Sequence, residues 1–267
     1  MNDRPFLFDI HSHLNDAAFD SDREEVIARI REKNVFTITV GTGADMSQKA
    51  CDIARNEQGF FASIAQHPSD NTKEIFDREF YIKLAKENSK VVSIGECGLD
   101  YFRLLPENEI NEKVRQKKLF EDHIDLAVSL NKPMMIHCRD AHKDILDILK
   151  DKKKEYGDSL RGDIHFFADT VETAKQYFDL DFTVSFTGVI TFARNYDEVI
   201  KYAPLSRIMS ETDAPYVAPI PYRGKRCEPI YVEEVVKKLA EIRGEDLEMV
   251  QKAMVDNAFR IFNLEKF

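Results

Sequence analysis

Short apolar runs alternate with charged segments of helical period along nearly the whole chain, and this rhythm limits the possible folds more than any other feature. The runs cover residues 6–10, 35–40, 60–65, 91–94, 134–136, 163–166, 182–186 and 207–210. They are rich in Val, Ile and Phe and read as buried parallel strands. Between and after them, residues 22–33, 45–56, 72–88, 108–130, 141–156, 171–178, 196–202, 229–243 and 246–262 carry helical periodicity. Strand–helix alternation repeated about eight times in 267 residues predicts an α/β chain of the (β/α)8 TIM-barrel class, as one domain over residues 1–267. An open doubly wound sheet is the other architecture for such a rhythm. No G-x-G-x-x-G follows the first run, which weakens that alternative.

The net charge is −10 and the pI is near 5.3, which argues against a broad surface coated with nucleic acid. A local anion site stays possible, because bound divalent cations reverse the field of an acidic pocket. Four scattered cysteines, none in a Cys-x-x-Cys pair, suit a reducing compartment. No basic-then-apolar leader opens the sequence, and no apolar run reaches the roughly 18 to 20 residues of a membrane helix. The expectation is a soluble cytoplasmic protein with no membrane association and no obligate protein partner.

The first run ends in Asp9-Ile10-His11-Ser12-His13. Residues i and i+2 of a strand face one side, so His11 and His13 converge just past the strand end. His67 follows the third run, Glu96 the fourth, His137 the fifth, His165 the sixth and Asp213 the eighth. In a barrel these positions share the C-terminal mouth, where active sites form. Five of the seven histidines stand at expected strand ends, which scattered structural histidines would not do. The ligand set His11, His13, Glu96, His137, His165 and Asp213 exceeds one tetrahedral shell, so two divalent ions are expected. Glu96 would bridge ions about 3.5–4 Å apart, with His11 and His13 on one and His137 and His165 on the other. Asp213 would bind a metal and hold the attacking water, making Asp213 and Glu96 the catalytic carboxylates. Mg, Mn and Zn stay open as the metal, imidazole favouring Zn or Mn over Mg. Strand parity places Asp9 beside His11, where it could ligate or, as favoured here, orient an imidazole from behind.

Arg139 directly follows a ligand, and Arg223, Lys225 and Arg226 cluster after the eighth run. Such cations beside a metal pair favour an anionic substrate. A solvated turn, or pairing with Glu228, would account for the 223–226 cluster equally. His67 could touch a phosphate or donate a proton to a leaving oxygen, or be structural. Tyr101 and Tyr216 could stack on a base or simply pack. Cys97 and Cys138 point away from their ligand neighbours by parity and read as buried, unreactive thiols.

The motifs Asp9-Ile10-His11-Ser12-His13-Leu14, Gly95-Glu96-Cys97-Gly98-Leu99-Asp100-Tyr101, His137-Cys138-Arg139 and Glu211-Thr212-Asp213-Ala214-Pro215-Tyr216 occur in this order. With Arg223-Gly224-Lys225-Arg226-Cys227-Glu228-Pro229 and Asn257-Ala258-Phe259-Arg260-Ile261-Phe262, the chain resembles the TatD family of metal-dependent deoxyribonucleases over essentially its whole length. The resemblance implies a TIM barrel with Mg²⁺-dependent or related 3′-to-5′ exonuclease activity, and a DNA substrate that is single-stranded or presents 3′ ends. It also supports the ligand set above. Asn15, the run Phe166-Phe167-Ala168-Asp169 and Cys227 depart from the family pattern beside the pocket, which bears on substrate preference and rate. Two other readings compete. One is a metal amidohydrolase or lactonase, although many such barrels bridge their metals with a modified lysine where Glu96 stands here. The other is a non-catalytic binding protein on the same barrel.

Overall fold

The computed structural model describes residues 4–70 and 72–265, so the first three and last two residues of the expected 1–267 domain lie outside the described residues. Among the described residues, eight parallel strands form one sheet in sequential order. They are β1 (Leu7–Ser12), β2 (Val35–Val40), β3 (Phe60–Ile64), β4 (Val91–Asp100), β5 (Met134–Arg139), β6 (Gly162–Ile164), β7 (Phe182–Phe186) and β8 (Ile208–Ser210). The sheet closes on itself past β8: Asp213 N donates to His11 O at 2.9 Å and His13 N to Ala214 O at 2.7 Å. Closure removes the open edges that a parallel sheet would otherwise leave. No helix among the described residues is long and apolar enough to cross a membrane.

Helices follow the strands as the periodicity predicts: α1 (Arg23–Glu32), α2 (Ala44–Arg55), α3 (Arg78–Glu87), α4 (Glu109–Ser129), α5 (His142–Tyr156), α6 (Val171–Asp179), α7 (Asp197–Tyr202), α8 (Val232–Arg243) and α9 (Leu247–Phe262). The expected helix over 72–88 starts only at residue 78. Asp77 takes the N-cap and accepts from Phe80 N, and Glu74 is spent on capping α2 through Ala44 N. The expected fourth strand, 91–94, runs on to Asp100 because β5 pairs with it as far as Arg139.

Strand residues and helix faces share one large core around Phe19, Phe60, Tyr81, Phe120 and Tyr177. A second cluster joins residues early in the strands, among them Phe8, Phe61 and Met135, to Val255, Phe259 and Phe262 of α9. Phe8 stacks on Phe61 and meets Phe259 edge-on, each with centroids 6.1 Å apart. Helix α9 therefore seals the end of the barrel where the strands begin. Truncating a buried aromatic in such a seal costs roughly 3–5 kcal/mol. The opposite mouth is left to the strand ends and their loops.

Two bulges adjust that mouth. On β1 against β2, Asp9 pairs with Thr37 and Ser12 with Thr39, three residues against two. On β4 against β5, Ile94 pairs with Met134 and Cys97 with Ile136, again three against two. The extra residues fall beside His11 and Glu96, and each re-aims a side chain. Asp9 thus shares a face with Ser12, opposite His13, which corrects the parity argument that set it beside His11.

Candidate metal centre

Glu96 stands where the imidazoles converge. Its Oε2 lies 3.4 Å from His11 Nε2 and 3.7 Å from His13 Nε2. Its Oε1 lies 2.7 Å from His137 Nδ1, 3.4 Å from His165 Nε2 and 3.5 Å from His67 Nε2. Asp213 Oδ1 approaches the first group, 3.5 Å from His13 Nε2 and 3.8 Å from His11 Nε2. The two oxygens of one carboxylate therefore face two separate sets of nitrogens. Gly98 allows this proximity of β4 and β5: its φ is +145°, and a Cβ there would sit 2.0 Å from His137 O.

Partners behind the rings fix their orientation. Val40 O can only accept, so His13 Nδ1 donates to it at 3.1 Å, and the lone pair of the neutral ring is on Nε2. His165 Nδ1 donates to Glu211 Oε2 at 3.0 Å, which likewise turns its Nε2 toward Glu96. His11 stacks on His165 with centroids 3.6 Å apart, and its Nε2 lies 3.2 Å from that of His13. Beyond Glu96, His137 Nε2 reaches Asp100 Oδ2 at 3.2 Å, and His67 Nδ1 meets Asp70 Oδ1 at 3.2 Å. Sequence reasoning assigned no role to Glu211, Asp100 or Asp70. Glu211 and Asp100 lie inside quoted motifs, so their strand-end positions were the available signal.

Asp9 orients no imidazole. Its buried carboxylate accepts from Thr212 N at 2.8 Å, Thr212 Oγ1 at 2.7 Å and the backbone N–H of His11 at 3.4 Å. It steadies the backbone that leads into Asp213. Burial pushes its carboxyl pKa well up, against the pull of the Thr212 hydrogen bonds.

Electrostatics follow from packing opposite charges tightly. Burial alone would raise the pKa of Glu96, yet the potential of His67, His165 and His11 holds it well below the usual carboxylate range. Burial opposes charge on His165 too, but Glu211 and Glu96 push its pKa well up. His67 is raised to about 10 by Glu96 and Asp70 despite its burial. His11 goes the other way, lowered by burial and by His165.

The donor set fits divalent cations. The ligand atoms of His11, His13 and Glu96 lie within 4.8 Å of one another, as do those of His67, Glu96 and His137. Imidazole nitrogens with carboxylate oxygens suit Zn, Mn, Fe or Ni, with oxygen-loving Mg less favoured. A cleft of about 1120 Å³ opens over this cluster.

Among the expected substrate residues, His67 and Arg139 line the cleft. Tyr101 does not. Alternation along β4 turns it outward, where its hydroxyl donates to Asp144 Oδ2 at 2.9 Å and Lys113 covers its ring. Arg226 is also engaged elsewhere, in a bidentate pair with Asp22 at 2.6 and 2.7 Å. Arg223 lies over the Phe192 ring at 3.7 Å, and Lys225 is exposed; neither is part of the cleft wall. Phe102 and Arg103, which sequence reasoning passed over, are on the wall. Cys97 is buried, as parity predicts. Cys138 is only half-buried and reaches the cleft wall, but burial pushes its thiol up to about 12.

Residues 8–263 match the family described as "TatD related DNase". The chain is 36% identical to a protein of Bacillus subtilis named "Uncharacterized metal-dependent hydrolase YabD", over 97% of this chain and 99% of that one. It is 33% identical to a protein of Pantoea ananatis named "3'-5' ssDNA/RNA exonuclease TatD", over 97% and 100% of the two chains. Among solved structures, YJJV of Escherichia coli K12, described as a TatD homolog, superposes with a TM-score of 0.86 at 26% identity, over 97% and 98% of the two chains.

Proposed function

The chain belongs to the TatD-related DNase family of metal-dependent hydrolases, and from that premise we propose that it removes nucleotides from the 3′ ends of single-stranded DNA. Two divalent cations would share Glu96, one held with His11, His13 and Asp213, the other with His137 and His165. The observation that carries this reading is the division of Glu96, whose Oε2 faces His11 and His13 while Oε1 faces His137 and His165. When bound, the cations would act as Lewis acids on the phosphodiester and lower the pKa of an attacking water.

The remaining work falls to the chain's own side chains. Asp213 orients the water through a carboxylate oxygen and accepts its proton at that atom. Burial works to raise its pKa, but the His13 hydrogen bond and the neighbouring imidazoles keep it low and the oxygen available as a base. His67, on the cleft wall and paired with Asp70 through Nδ1, donates a proton to the leaving oxygen. Arg139, on the cleft wall, neutralises phosphate charge.

The single-stranded nucleic-acid substrate is supported by the name of the Pantoea ananatis relative and by the Arg139 side of the cleft. A panel of single-stranded DNA, RNA, a small phosphodiester, an amide and a lactone, offered with Mg²⁺, Mn²⁺ or Zn²⁺, tests the reading. Preferential turnover of single-stranded DNA is expected. Turnover of the amide or lactone alone would place the protein among small-substrate amidohydrolases instead.

A further inference from the structure

The loop after β4 carries an aromatic ring into the cleft wall. Phe102 lines the cleft and is 48% exposed, unlike the many buried aromatics of the core. The Arg139 guanidinium carbon lies 3.6 Å from the ring centroid, and that of Arg103 lies 5.5 Å away. Both arginines are themselves on the wall, so an apolar ring and two fixed positive charges meet at one point of an otherwise acidic protein. A nucleotide presents the complementary pair, a π-face and an adjoining phosphate. Aromatic rings and guanidinium planes are the two surfaces on which unpaired bases stack.

The loop is anchored rather than free. Asp100 Oδ1 accepts from Phe102 N at 3.0 Å, while its Oδ2 lies 3.2 Å from His137 Nε2. Gln116 grips both backbone groups of Asp100, its Oε1 accepting from the N–H at 2.8 Å and its Nε2 donating to the carbonyl at 3.0 Å. Phe102 is therefore held in register with the imidazole that touches Glu96. A base stacked on this ring would place its phosphate at a set distance from the cluster.

Resting on the nucleic-acid reading above, we propose that Phe102 forms a platform on which the base of the 3′-terminal nucleotide stacks, with Arg139, whose guanidinium lies over the ring, and Arg103 neutralising the adjoining phosphate. Every base has a π-face, so the platform tolerates sequence and selects for the presence of a base. Phe102 is a specificity-determining residue in this arrangement, and Asp100 is its positioning residue.

Two measurements test the platform. In the first, the loaded enzyme removes either a normal 3′ nucleotide or a baseless tetrahydrofuran residue from otherwise identical strands. Wild type is expected to favour the base-bearing end by on the order of 10-fold in kcat/KM. Phe102→Ala should bring that ratio close to one, and Phe102→Trp should keep it. An unchanged ratio in Phe102→Ala overturns the proposal. In the second, strands ending in 2-aminopurine are bound to Asp213→Ala protein, whose slowed turnover lets the fluorescence be read before the end is removed. Quenching of the fluorescence is expected, and it should vanish when Phe102→Ala is added. Quenching that persists, or never occurs, overturns the platform. Absence of nucleotide release from any strand by wild type would defeat the exonuclease reading, while quenching that depends on Phe102 would still support base stacking here.

Discussion

Glu211 holds His165 and the next residue at once: Oε2 accepts from His165 Nδ1 at 3.0 Å and Oε1 from Phe166 N at 2.7 Å. This fixes the proton of the neutral imidazole on Nδ1 and presents Nε2 to Glu96. Glu211 is fully buried, so no water competes for the contact.

Glu211→Gln keeps the shape and an acceptor for Phe166 N, but turns an amide N–H toward His165 Nδ1. The ring then protonates on Nε2 and can no longer ligate. Cation affinity should fall roughly 10- to 100-fold, the usual effect of losing such a partner. Titration calorimetry of the chelated and dialysed protein measures it, with the far-UV spectrum reporting an intact fold.

His165 and His13 are both pushed up from their ordinary pKa, against the effect of burial, His165 by Glu211 and Glu96 and His13 by Asp213 and Glu96. A raised pKa means that protons compete with a cation for these nitrogens. Cation binding should therefore expel protons, and affinity should fall as pH falls. Calorimetric enthalpies in two buffers of different ionisation enthalpy will differ if this holds and coincide if it does not.

His123 is buried far from solvent with both ring nitrogens committed. Its Nδ1 donates to Leu119 O at 2.8 Å, and its Nε2 accepts from Gln66 N at 3.1 Å. Burial lowers its pKa from 6.5 to about 4, so the unfolded chain binds the extra proton first as pH falls. Its contribution to stability is full above pH 6.5 and is lost as pH drops toward 4, by roughly 3 kcal/mol over the window. Urea unfolding of chelated wild type and His123→Gln at pH 7 and pH 4.5 should show the gap between them closing by roughly 2–3 kcal/mol.

The barrel was legible because its strands are apolar runs set off by charged helices, and Val35–Val40 and Phe182–Phe186 agree with the runs to the residue. The convergence of His11, His13, Glu96, His137, His165 and Asp213 was legible for the same reason, since strand ends share one mouth. Asp9 was misplaced because a bulge depends on hydrogen bonds from the neighbouring strand, which strand parity does not contain. Tyr101 was a stacking candidate because it adjoins a motif; pairing with β5 carries β4 past Glu96 to Asp100 and turns the tyrosine outward, where it packs. For Arg226 the pairing with Glu228 was open to sequence reading and is present, while its tighter bidentate partner, Asp22, was not legible because it is distant in sequence. Phe102 and Arg103 carry no motif of their own, and only the cleft gives them meaning.

End-labelled single-stranded DNA tests the central claim most directly. Metal-loaded wild type should release the 3′-terminal nucleotide first and shorten a 5′-labelled strand one residue at a time. Chelation should stop the reaction, and Asp213→Ala should slow it by on the order of 10²-fold or more, since the base for the attacking water is gone. No release from wild type with any of the three metals, or release undiminished in Asp213→Ala, would contradict the account.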